Sequence, residues 1–241
     1  MSDGYELNTE PRTPALPGSV VVREDREELL DALAADLLVQ SASCISAFGD
    51  FHLALGSAPL VQELIIKLMV DPKYRSIEWI RTHLWTVHES RVPVGHPEHS
   101  LTVLSELLVE PSDMPPDQVH PILGHHPQAC ELYQSELREQ LGQREKGQDR
   151  LDFVVIDPEP EHIRGHDDPA DRLVGVLDSG RLTLCNRMIG GSRMVAVGLS
   201  GAPARDTVKV LESGALIPGI EPVGGVLRWY LDHDACVQAE A

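Results

Sequence analysis

The residues best suited to chemistry crowd into one stretch, Leu151 to Asp171, which reads LDFVVIDPEPEHIRGHDDPAD. Leu151 through Ile156 is a short apolar run rich in β-branched residues, the pattern of a buried parallel strand. Asp157, Pro158, Glu159, Pro160 and Glu161 cannot continue it, because proline lacks the ladder donor and carboxylates favour water. His162, Arg164, His166, Asp167 and Asp168 follow at once. In an open α/β sheet, the loop leaving the carboxyl end of a central strand is where ligands bind. So dense a set of titratable groups makes it a candidate for proton-transfer chemistry. The alternative is a solvated acidic loop.

Two other places carry usable chemistry. Phe51 to Leu55, FHLAL, reads as a buried strand, followed by Gly56-Ser57-Ala58-Pro59 and a helix from about Leu60 to Val70. Strand, glycine-serine turn and helix make an anion-binding arrangement, since backbone N–H groups can approach a phosphate and the helix N-terminus adds partial positive charge. A glycine before a helix also serves simply as a tight turn. Pro59 suits the first helical turn, where its missing donor costs nothing. Ile77 to Val87 is a further strand candidate, more regular in its second half, and it ends in the polar group His88-Glu89-Ser90-Arg91-Val92-Pro93. His99, His120, His125 and His126 match no zinc-ligand spacing, so no metal is expected.

These groups must be held by a scaffold. Ser19 to Val22 suggests a short edge strand. From Asp25 a helix carries Leu29, Leu30, Leu33, Leu37 and Leu38 on one stripe, and Ser43 to Asp50 is expected to break it. Residues 98–109 form an amphipathic helix, and Pro111 to Pro127 a proline-rich loop. Pro127 to Gln143 is a helix with Ala129, Leu132, Tyr133 and Leu137 inward, and Arg144 to Arg150 a polar connector. Leu173 to Leu177 and Arg181 to Cys185 pair as a hairpin across Asp178-Ser179-Gly180. Arg193 to Leu199 is a strand, Ala204 to Ser213 a helix, and the stretch from Gly224 to Asp232 closes the chain's regular structure. Alternating strands and helices argue for an α/β fold: a doubly wound, mainly parallel, Rossmann-like sheet flanked by helices, with a small β-hairpin addition. Residues 1–18 read as a loose N-terminal tail and 19–241 as one domain.

Bulk composition narrows the partners. Against 20 basic side chains stand 38 acidic ones, a formal charge of −18, which disfavours nucleic acid and anionic membrane surfaces. A small phosphorylated ligand stays compatible where local donors outweigh the global field. Aromatic residues make up only 4 %, so the core must rest on Leu, Val, Ile and Ala. Cys44, Cys130, Cys185 and Cys236 are scattered without a C-x-x-C pair, as reduced core thiols would be. The N-terminus lacks the basic and apolar regions of a signal peptide. Leu53 to Val70 is interrupted by Gln62, Glu63 and Lys67 and cannot span a bilayer. The expectation is a cytoplasmic protein, a monomer or weak dimer.

Several segments together resemble the 6-phosphogluconolactonase family, within the glucosamine/galactosamine-6-phosphate isomerase-like superfamily. Pro222 to Asp232 resembles its closing P-x-G-G-x-L-x-W-Y-L-D, and Arg181-Leu182-Thr183-Leu184 its R-I-T-L strand. The phosphate loop L-S-G-G-S-T-P corresponds to Leu55-Gly56-Ser57-Ala58-Pro59, one residue shorter and without the threonine. In the D-E-R-x-V-P segment the aspartate is His88, and the arginine, Arg91, sits one position late. The G-x-G-x-D-G-H loop corresponds to Asp157 through His162, without the intervening glycine. The G-A-E-K lysine falls at Gly201-Ala202-Pro203-Ala204, with Arg205 next.

The resemblance implies hydrolysis of 6-phospho-D-glucono-1,5-lactone, a sugar-phosphate lactone, with no cofactor. It implies His162 as the base, with His166 in reserve, and Glu89 and His88 at the catalytic segment. It implies Gly56, Ser57, Arg91 and Arg205 around the substrate phosphate. Arg181 and Arg193 match family positions, yet strand arginines can also simply bridge carboxylates. Two further activities fit the same residues: an amino-sugar-phosphate isomerase/deaminase, and a sugar-phosphate or protein-binding homologue with weakened or no turnover.

Overall fold

The computed structural model describes residues 12–158, 172–215 and 220–236. The strands are β1 (Ser19–Arg23), β2 (Phe51–Leu55), β3 (Thr82–Thr86), β4 (His88–Glu89), β5 (Val119–His120), β6 (Phe153–Ile156), β7 (Val174–Val176), β8 (Leu182–Leu184), β9 (Met194–Leu199) and β10 (Val226–Asp232). The helices are α1 (Arg26–Phe48), α2 (Pro59–Val70), α3 (Ser100–Leu104), α4 (Ala129–Leu141), α5 (Asn186–Gly190) and α6 (Arg205–Glu212). Seven strands form one parallel sheet in the order β1-β10-β9-β6-β2-β3-β5. The expected hairpin, β7 with β8, joins β4 in a small antiparallel sheet. From β2 the chain builds outward through β3 and β5, then returns to lay β6, β9 and β10 on the other side. The strand order therefore reverses between β2 and β6, and their carboxyl ends open a crevice.

Each face of the sheet carries its own core. Phe51, Leu53 and Leu55 of β2 pack with Leu29, Leu33 and Leu37 of α1 and with Leu64 of α2. Ala54, Trp85, Val154 and Val197 face the opposite way, against Tyr133 and Leu137 of α4. Strands buried on both faces account for the near-continuous apolar runs in the sequence. α1 is long and apolar enough to cross a membrane by length and composition alone. In the fold it is a core helix that contacts α2, β2 and β10.

Several local expectations change. α1 runs on through Ser43 to Phe48, since Cys44 and Ile45 keep the buried stripe, and it ends at Gly49 with φ 93°. The strand within Ile77–Val87 begins only at Thr82, after a 3-10 turn over Trp79–Arg81. His120 lies in edge strand β5, paired with β3, not in a loop. Leu132 is 46 % exposed on the outer face of α4. Residues 12–18, expected as loose tail, are tied down: Arg12 pairs with Glu212, and Trp229 Nε1 donates to the Pro17 carbonyl at 2.7 Å. All four cysteines are free, and three of them are buried.

Candidate active site

A cleft of about 280 Å³ opens at the carboxyl ends of β6 and β9. Its described walls include Asp157 and Pro158 after β6, Leu199 at the end of β9 and Ser200 just past it, Pro59 and Leu60 at the start of α2, Ala204 before α6 and Thr207 in its first turn, and Arg26 at the start of α1. The close fit of α2 against β9 depends on Gly198, because a Cβ there would stand 2.0 Å from Leu60 Cδ2. Asp232, closing β10, braces the chain just past β9. Its carboxylate accepts the Gly201 N–H at 2.9 Å and the Ala235 N–H at 2.8 Å, and it bonds the Ser200 hydroxyl. Gly201 takes φ +77°, a conformation that glycine alone adopts cheaply.

Beside the cleft, the residues expected around the phosphate loop do meet. The His88 ring packs on Gly56 so closely that a Cβ on that glycine would lie 2.9 Å from His88 Cε1. Gly56 is thus needed for space. Ser57 Oγ lies 3.0 Å from Ser100 Oγ, and Ser100 donates to the His88 carbonyl at 3.0 Å. The side-chain amide of Gln62 donates to the Ser57 carbonyl at 2.7 Å, drawing the loop onto α2. Glu89 lies beneath this frame, completely buried. Its Oε1 accepts the N–H groups of Ser90 at 2.9 Å and Ser100 at 2.8 Å, and its Oε2 stands 2.9 Å from Nδ1 of buried His99. Burial pushes the Glu89 carboxyl up to about 7, against the N–H bonds from Ser100, Ser90 and Leu101. Burial likewise lowers His99, with repulsion from His125 adding to it. Burial thus disfavours the charged form of both partners, and in its protonated form Glu89 directs its proton at His99 Nδ1. Glu89 positions the start of α3 and does not face the cleft.

The two arginines expected on the phosphate are engaged elsewhere. Arg91 is exposed and donates from Nε to the Gly180 carbonyl in the hairpin turn, at 3.0 Å. Arg205 donates from Nε to the Asp234 carbonyl at 2.6 Å. Arg193 bridges Asp152 and Gln148 and lies over Phe48, so it serves the scaffold. His162 and His166 lie outside the described residues, on the segment that begins just past Pro158. Arg26, Ser200 and Thr207 were not foreseen. The helix-start signal at Asp25 was legible, but not that it opens on the same crevice.

A second cluster sits at the amino ends of β2 and β3, where Asp50, His52 and His83 bring ligand-type atoms within 4.8 Å of one another. Trp85 Nε1 donates to His52 Nδ1 at 3.0 Å. Neutral His52 must then carry its proton on Nε2, 3.5 Å from Asp50 Oδ2, and burial keeps the ring neutral. A protonated Nε2 cannot ligate a cation, and Arg144 already holds Asp50. His83 Nδ1 meets His120 Nε2 at 2.9 Å, and His120 Nδ1 meets Glu136 at 2.6 Å. This set is a packed proton-ordered network.

The family described as glucosamine-6-phosphate isomerases/6-phosphogluconolactonase matches residues 24–157, more than half of the chain. The chain belongs to that family. It is 26 % identical over 237 residues to the GDH/6PGL endoplasmic bifunctional protein of Homo sapiens, covering 87 % of this chain and 29 % of that protein. It therefore spans under a third of that relative's length. It is 28 % identical over 101 residues to the 6-phosphogluconolactonase of Streptomyces coelicolor, covering 42 % of this chain and 39 % of that one. The crystal structure of devB protein shares the fold, with TM-score 0.76 and 23 % identity over 90 % of this chain and 98 % of that one.

Proposed function

We propose that this chain hydrolyses 6-phospho-D-glucono-1,5-lactone to 6-phosphogluconate, without a cofactor. The observation that supports it is the cleft at the carboxyl ends of β6 and β9, beside the β2–β6 reversal, whose β6 wall leads along the chain into the segment bearing His162. The names of the relatives agree with this activity. In this reading His162 accepts a proton as water adds to the lactone carbonyl. The proton then returns to the ring oxygen as the C1–O5 bond breaks. His88 and Glu89 frame the phosphate loop, and Gly56 and Ser57 lie at its turn. The same reading takes the protein as cytoplasmic and as a monomer or weak dimer. Cell fractionation and sedimentation test those two points.

The test is loss of freshly generated lactone, followed against its spontaneous hydrolysis. His162→Ala should lower the enzymatic rate by at least about a hundredfold, with the melting temperature unchanged. No acceleration by the wild-type chain, or an undiminished rate in His162→Ala, overturns the proposal. The amino-sugar isomerase/deaminase reading needs a carboxylate base at the end of β3. Glu89, the acid closest to that place in sequence, is buried under backbone N–H groups. Ammonia release from glucosamine 6-phosphate would reinstate that reading.

A further inference from the structure

The cleft has one cationic side chain among its described walls, and it lies outside the family motifs compared above. Arg26 occupies the first position of α1, immediately after the cap residue Asp25. A cation at a helix N-terminus opposes the helix dipole, so the helix itself does not call for an arginine there. Glu63 of α2 takes one fork of the guanidinium, with Nε at 2.6 Å and Nη2 at 2.9 Å. The second fork, Nη1 with the other Nη2 hydrogen, reaches toward the cleft, where Nη1 meets Ser200 Oγ at 3.3 Å. A planar guanidinium can bind carboxylate on one edge and phosphate on the other, which an ammonium cannot reproduce. Arg26 and Glu63 are 38 % and 46 % exposed, and an ion pair so exposed is weak. Its geometry can adjust to a ligand at little cost.

The surroundings suit an anion. Thr207 lines the same wall. No side chain caps the first turn of α2, where Pro59 and Leu60 line the cleft. Asp157 is the cleft's one described carboxylate, on the wall that leads into the His162 segment. Cation and acid thus mark two walls of one crevice. We propose that Arg26 is the principal cation for the substrate's phosphate, held by Glu63 so that its second fork faces the ligand. This inference rests on the sugar-phosphate reading above.

The test is calorimetric titration of the full chain with 6-phosphogluconate and, separately, with gluconate. Wild type should bind 6-phosphogluconate more tightly. Arg26→Gln should weaken that binding on the order of 10- to 100-fold, the usual worth of charge-assisted hydrogen bonds, and leave gluconate unchanged. Glu63→Gln should preserve or tighten 6-phosphogluconate binding, because it removes a carboxylate beside the anion and leaves Arg26 its charge. Arg26→Lys, which keeps the charge but not the second fork, should weaken binding several-fold with an unchanged melting curve. In turnover, Arg26→Gln should act mainly on KM. If wild type does not distinguish the two ligands, the sugar-phosphate reading falls, and this assignment with it. If wild type distinguishes them but the Arg26 variants bind as well as wild type, Arg26 is only a surface partner of Glu63 and the lactonase reading stands. Equal weakening by Arg26→Gln and Glu63→Gln likewise reduces the pair to a structural role.

Discussion

Replacing Glu89 by glutamine should make the protein more stable at alkaline pH. The carboxyl is fully buried, and its value of about 7 lies well above the ordinary 4.5. The folded state thus holds this proton more tightly than the unfolded chain does. Stability from Glu89 is complete below the unfolded value and is lost as pH rises from 4.5 through 7. By proton linkage, the loss between about pH 5.5 and about pH 8 comes to about 2 kcal/mol. Glutamine copies the protonated acid: its oxygen can accept the Ser90 and Ser100 N–H groups, and its amide can donate to His99 Nδ1. Below about pH 4 the variant should match wild type within about 0.5 kcal/mol; by about pH 5.5 it should exceed it by about 1 kcal/mol, and near pH 8 by about 3 kcal/mol. Urea unfolding of both proteins across this range measures the difference directly. Parallel pH–stability curves would refute the reasoning, because they would mean that Glu89 keeps one protonation state throughout.

Three further outcomes follow from the same geometry. Burial, with repulsion from His52 and His120, pushes His83 down to about 4. Its stabilising contribution should then disappear as pH falls from 6.5 through 4, and His83→Asn should remove about 2 kcal/mol of the wild-type loss between about pH 7 and about pH 5. Gly198→Ala would press a methyl onto Leu60, costing roughly 1–3 kcal/mol and raising KM as the start of α2 shifts; the added change Leu60→Ala should recover part of both. Asp232→Ala leaves the Gly201 and Ala235 N–H groups without their acceptor. It should cost about 3 kcal/mol in urea unfolding and also raise KM.

The scaffold was legible wherever burial imposes a period. Four apolar residues out of five mark β2, the leucine stripe marks α1, and the run beginning at Leu151 marks β6. Legibility failed where tertiary contact outweighs pattern. β5 is two residues long and has no period to read, yet His120 is fixed by stacking on Trp85 with ring centroids 4.0 Å apart. α1 survives Ser41 and Ser43 because small polar side chains fit a packed helix as long as the buried stripe continues. The site divides similarly. Gly56, Ser57 and His88 do converge, since they lie at the ends of adjacent strands. Arg91 and Arg205 carry long side chains whose direction no spacing reveals, and both turn to backbone carbonyls. The burial of Glu89 is not legible in sequence, because apart from Ser90 its partners, His99 and Ser100, lie ten or more residues away.

Along the chain, the differences from the family's motifs look like separate losses; in space they are coupled. His88 stands where the resemblance has an aspartate, and the turn after β2 is one residue shorter. The two meet at Gly56, so a larger ring and a shorter loop fill one volume. Likewise Ala204, at the position of the family's lysine, lines the cleft without charge, while Arg26 enters the same cleft from α1. On the proposed assignment, a positive charge reaching the crevice from a different element changes the motif but keeps the electrostatics. Charge and volume in the crevice, rather than identity at each motif position, are therefore the quantities that bear on whether this chain turns substrate over.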